Sequence, residues 1–74
     1  MKEVSMEEFN KFWLENKPLK VFSSFTDSTG TSPIGNGYPY MITTYGKDDK
    51  EMVRIESRKE YESDREWQTT YYLL

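Results

Sequence analysis

The stretch Val4-Ser5-Met6-Glu7-Glu8-Phe9-Asn10-Lys11-Phe12-Trp13 carries the start of a helix in its own chemistry. The Ser5 hydroxyl can accept from the Glu8 backbone N–H, while the Glu8 carboxylate can accept from the Ser5 N–H, the reciprocal arrangement of a capping box. Val4 before the cap and Phe9 in the first turns have the spacing of a hydrophobic staple, and Glu7 and Glu8 suit the positive end of the helix dipole. Met6, Phe9, Phe12 and Trp13 recur with helical spacing, and Glu7, Asn10, Lys11 and Glu15 fall on the other side, so one face seeks a core. Asn16 can take the left-handed conformation of a C-cap and Pro18 cannot continue the hydrogen-bond ladder, which predicts a helix over residues 5–16.

Downstream of Pro18 the period changes from helical to alternating. Leu19, Val21, Ser23 and Phe25 alternate with Lys20, Phe22, Ser24 and Thr26, which predicts a strand over residues 19–26. The segment from Asp27 to Gly37 holds three glycines and a proline and reads as a long loop. Tyr38, Tyr40, Ile42 and Thr44 then alternate with Met41, Thr43 and Tyr45 over residues 38–45, with Pro39 confining the start to an edge or irregular position. The polar run Gly46-Lys47-Asp48-Asp49-Lys50 leads into residues 51–58, where Met52, Arg54 and Glu56 alternate with Val53, Ile55 and Ser57, so the two strands form a hairpin. After the charged stretch 59–66, residues 67–74 read as a last strand, with Trp67, Thr69, Tyr71 and Leu73 on one side.

Composition narrows the function classes. The chain has 74 residues, twelve of them aromatic, and neither histidine nor cysteine. Histidine is the side chain that titrates near neutrality and cysteine the strongest ready nucleophile, so the expectation is a non-enzymatic protein without a cofactor or a metal site. Without cysteine there is no disulfide, and a domain of this size buries only roughly 60% of the surface its unfolded chain exposes. Self-association enlarges a core that small, and a homo-oligomer, a dimer first of all, is expected.

Ten Lys and Arg stand against thirteen Asp and Glu, a net charge of −3, which disfavours binding to duplex DNA through its phosphates. No apolar run approaches the roughly 18 residues of a membrane-spanning helix, and Met1-Lys2-Glu3-Val4-Ser5 lacks the apolar core of a signal peptide. The expected compartment is the cytoplasm. Alanine is absent and lysine outnumbers arginine by seven to three, a bias shared with AT-rich phage and low-GC bacterial genes.

Two constellations are candidates for binding. Asp27, Ser28, Thr29, Thr31, Ser32 and Asn36 lie in the long loop, whose small and hydroxyl-bearing residues would let backbone N–H groups approach an anion. No Walker or GxGxxG pattern accompanies them, and the loop leads into a strand rather than a helix. Phe22, Tyr38, Tyr40, Tyr45, Trp67, Tyr71 and Tyr72 are candidates for a stacking surface, with the competing account that rings fill the core of a chain holding four leucines, three valines and three isoleucines. Among the carboxylates, Asp48-Asp49 and the alternation Glu60, Glu62, Asp64, Glu66 lack the ligand spacing of a calcium loop and read as solvated groups or an acidic rim.

These readings converge on an α+β domain spanning 1–74, one N-terminal helix packed on a mainly antiparallel four-stranded sheet in meander order. The expected core is Leu19, Val21, Phe25, Ile42, Val53, Ile55, Trp67 and Tyr71 beneath Met6, Phe9, Phe12 and Trp13. The functional expectation is a small protein–protein interaction module, an inhibitor or accessory protein of a phage or mobile element, binding a protein partner through Tyr38, Tyr40, Tyr45, Arg54, Arg58 and Tyr72. The competing expectation is a nucleotide or single-stranded nucleic-acid binder using the loop and the aromatic sheet face.

Overall fold

The computed structural model describes residues 1–27, 40–59 and 66–74. Its elements are β1 (Lys2–Val4), α1 (Met6–Asn16), β2 (Lys20–Asp27), β3 (Tyr40–Lys47), β4 (Lys50–Arg58) and β5 (Gln68–Leu73). The fold is α+β, and its sheet has five antiparallel strands in the order β1-β5-β4-β3-β2 rather than the expected four. β2 to β5 form the meander. The additional strand is β1, which pairs Lys2 with Leu73, Glu3 with Tyr72 and Val4 with Tyr71. Three residues are too few to show an alternation, and only the partner strand gives them one.

Helix α1 begins at the expected cap, with the Ser5 half of the capping box formed. Ser5 is extended (φ −71°, ψ 163°), and its Oγ accepts from the Glu8 N–H at 3.1 Å, while the Phe9 N–H closes the first turn on the Ser5 carbonyl at 2.9 Å. The exit differs from the expected left-handed cap. Asn16 stays helical and its Nδ2 donates to the Phe12 carbonyl at 2.8 Å, while Lys17 turns extended (φ −60°, ψ 152°), as the residue before a proline is biased to do.

One face of the sheet, here the near face, carries α1. Residues directly opposite in adjacent strands share a face, so Val4, Tyr71, Ile55 and Thr43 form one row across it, and Leu73, Val53, Tyr45 and Val21 another. Val4, Phe9, Leu19 and Val53 are the buried core, with Phe12, Trp13, Tyr45, Met52, Ile55, Tyr71 and Leu73 packed around them. Rings supply much of the contact: Phe9 lies 4.8 Å from Tyr71, and the Trp13 ring meets Tyr45 edge-on at 5.0 Å.

Several expected core residues lie elsewhere, and a β-bulge accounts for one of them, Phe25. A register shift between Val21 and Ser23 makes Phe22 an extra residue in β2, so Val21 and Phe25 fall on opposite faces and are 60% and 52% exposed. A second shift between Tyr45 and Gly46 makes Met52 extra in β4 and turns it into the core, away from Arg54. Gly46 sits at this second shift, where a Cβ would collide with the Lys50 carbonyl. Ile42 lies on the face away from α1, because in β3 it is Tyr45 that meets the helix. Met6 is exposed, and Trp67 is half-buried outside the core with the Lys59 Nζ 4.8 Å above its ring. No helix among the described residues is long and apolar enough to cross a membrane.

Candidate functional site

The face of the sheet opposite α1, the far face, is built from the alternate residues of all five strands. One row runs Glu3, Tyr72, Arg54, Thr44 and Ser23; the next Thr70, Glu56, Ile42 and Phe25; a third Gln68, Arg58 and Tyr40. Among the described residues no element packs over these rows. Exposure across them is graded. Tyr40 and Thr44 are buried, Tyr72, Arg54, Glu56 and Ile42 half-buried, and Glu3, Arg58, Ser23 and Phe25 exposed.

The polar groups here are coupled. Arg54 Nε lies 2.7 Å from Glu56 Oε2, an ion pair along one strand, although its N–H is not aligned on the carboxylate as a hydrogen bond. Ser23 Oγ and Thr44 Oγ1 are 2.6 Å apart and tie β2 to β3. Burial pushes the Tyr72 hydroxyl above its ordinary pKa of 10.0, the negative charges of Glu56 and Glu3 add to the shift, and Arg54 and Arg58 oppose it. The Phe25 and Tyr40 rings lie 5.7 Å apart at 45°. Tyr40 Oη is buried and has no hydrogen-bond partner among the described residues.

No family model matches the chain, and no curated protein or solved structure matches it.

Of the residues singled out from the sequence, Tyr40, Arg54, Arg58 and Tyr72 come together on the far face. Tyr45 does not join them, since it lies under α1 against Trp13. Tyr38, Ser28, Thr29, Thr31, Ser32 and Asn36 lie outside the described residues, as do Glu60, Glu62 and Asp64, and Asp27 is placed only as the last position of β2, opposite Tyr40. Five of the seven candidate rings are divided between faces: Tyr45 and Tyr71 contact α1, Tyr40 and Tyr72 belong to the far face, and Phe22 projects from the bulge.

Phe25, Ile42 and Glu3 belong to this surface although alternation alone does not place them there, whereas Glu56 shares the side of Arg54 and Arg58 that the alternation of β4 gives it. Phe25 reaches it through the bulge in β2, and Glu3 has a face only because β1 joins the sheet. Exposed apolar surface comes from Phe25 and Phe22 of β2 more than from tyrosines. Among the described residues no group of three or more acidic side chains converges as a metal site. Chemically the far face offers guanidinium donors, carboxylate acceptors, hydroxyls and one exposed ring, a set suited to recognition.

Proposed function

We propose that this chain is a non-enzymatic protein-binding module that engages a protein partner through the far face of its sheet. The observation that supports this reading is the convergence on that face of an exposed ring, Phe25, with Ile42, Tyr72 and the alternating charges Arg54, Glu56 and Arg58. Arginine and aromatic side chains surrounded by a polar rim are the composition of protein-interface centres, and mixed charge fixes the register of a partner more than it raises affinity. The finer form of this reading, an inhibitor or accessory protein of a phage or mobile element, rests on size and composition: 74 residues, no alanine and a lysine-biased basic set.

Affinity capture from the source cell with three variants tests it. Phe25→Glu and Arg58→Glu alter exposed far-face positions, and Lys11→Glu alters the exposed side of α1. A partner protein is expected with the unaltered chain and with Lys11→Glu, and its affinity should fall about thirtyfold with Phe25→Glu, the loss typical of an interface hot spot. Equal recovery by all three variants would contradict the far-face assignment.

A further inference from the structure

Among the described residues the sheet has two outer strands, β1 and β2, and they differ in length. β1 offers three residues, whereas β2 offers eight, and every described side chain from Lys20 to Thr26 is exposed. Val21, Phe22 and Phe25 are 60%, 44% and 52% exposed. Unpaired strand edges are templates for further pairing, and proteins blunt them with prolines and central charges. β2 has neither, since its charges stand only at its two ends, Lys20 and Asp27, and its bulge at Phe22, a third such device, still leaves seven ladder positions along the edge.

The geometry points to a second copy of this chain as the partner of that edge: two β2 strands pair antiparallel about a twofold axis at Ser24 and join the two sheets into one of ten strands. Such an axis is perpendicular to the sheet and leaves each residue on its own face, so the position on the axis must lie opposite itself. A regular strand of eight residues has no central position. The bulge supplies one, because Phe22 is extra and β2 occupies seven ladder positions, from Lys20 opposite Gly46 to Asp27 opposite Tyr40, with Ser24 in the middle.

In this register Ser24 meets Ser24 of the second copy. The Phe22-Ser23 bulge faces the second copy's Phe25, Val21 faces its Thr26, and Lys20 faces its Asp27. Opposite charges therefore meet at both ends of the seam, and a β-branched pair lies beside each. A parallel pairing would set Lys20 against Lys20 and Asp27 against Asp27, so charge complementarity selects the antiparallel arrangement and selects a second copy over an unrelated strand. The pairing uses the sheet edge and shares only Phe25 with the far-face reading, whose other groups, Ile42, Arg54, Glu56, Arg58 and Tyr72, lie on strands away from the seam.

Because the chain contains no cysteine, single cysteines can map the seam. Residues directly opposite in an antiparallel pair have Cα atoms about 4.5–5.5 Å apart, within the disulfide range. Under mild oxidation Ser24→Cys is expected to form a covalent dimer and Ser23→Cys to remain largely uncoupled. Sedimentation should show a dimer for the unaltered chain, and Lys20→Glu and Asp27→Lys should each raise its dissociation constant about tenfold, as two like-charge contacts replace two opposite ones. Mixing the two charge variants restores opposite charges at both ends and should restore the dimer. A monomer throughout the micromolar range, equal cross-linking of both cysteine variants, or a mixture no tighter than its components would overturn the assignment, and a strand from another protein bound along β2 would replace it.

Discussion

Asp48 and Asp49 form the two-residue turn between β3 and β4, closed by the pair Lys47–Lys50, and both have positive φ, 53° and 60°. This is the conformation of a type I′ turn, in which glycine at the second position carries no Cβ penalty. Asp49→Gly should stabilise the protein by about 0.5–1 kcal/mol, read as a higher denaturation midpoint at an unchanged slope. Tyr72 makes the second residue-scale prediction. Its hydroxyl titrates above 10.0 in the folded protein, so above that pH the unfolded chain loses its proton first and ionisation favours unfolding. The contribution is fully present below pH 10.0 and is lost as pH rises through the folded value. In a series of thermal melts at alkaline pH, Tyr72→Phe should lose stability less steeply than the unaltered chain, and identical slopes would show that the Tyr72 environment is misassigned.

At the scale of elements, what could be foreseen depended on how local the signal was. The start of α1 is written into Ser5 and Glu8, so Ser5→Ala should cost about 1 kcal/mol in urea unfolding, the usual value of an N-cap; a change near zero would mean that tertiary packing alone holds the helix. β2 to β5 were visible as alternating stretches. β1 was not, because its identity lies in a pairing with residues some seventy positions away. Alternation misplaces a side chain where a bulge changes the phase of a strand: carried straight through Phe22 it puts Phe25 beside Val21, and carried straight through Met52 it puts that side chain beside Arg54. In β3 both sides carry apolar residues, and the choice of Tyr45 over Ile42 is made by the Trp13 ring. Half of the candidate surface was legible for the same reason. Arg54 and Arg58 are two apart in a regular stretch of β4, whereas Glu3 and Phe25 reach the far face only through long-range pairing and a bulge.

For the whole molecule, one helix of eleven residues covers part of one face of a five-stranded sheet, and the far face and the edge of β2 carry the groups it leaves over. Among the described residues the core cluster holds four buried side chains with rings packed around them, and joining two sheets along β2 would extend the hydrogen-bond ladder without any change in fold. Both proposed contacts are with protein, one through side chains on a face and one through backbone at an edge. The edge of β2 is where this molecule is expected to meet another. Amide hydrogen exchange across Lys20–Asp27, measured at low and at high protein concentration, tests this directly. The amides of β2 that point away from β3 should slow as concentration rises, while those of β3 and β4 stay constant. Exchange in β2 that is the same at both concentrations would contradict the claim.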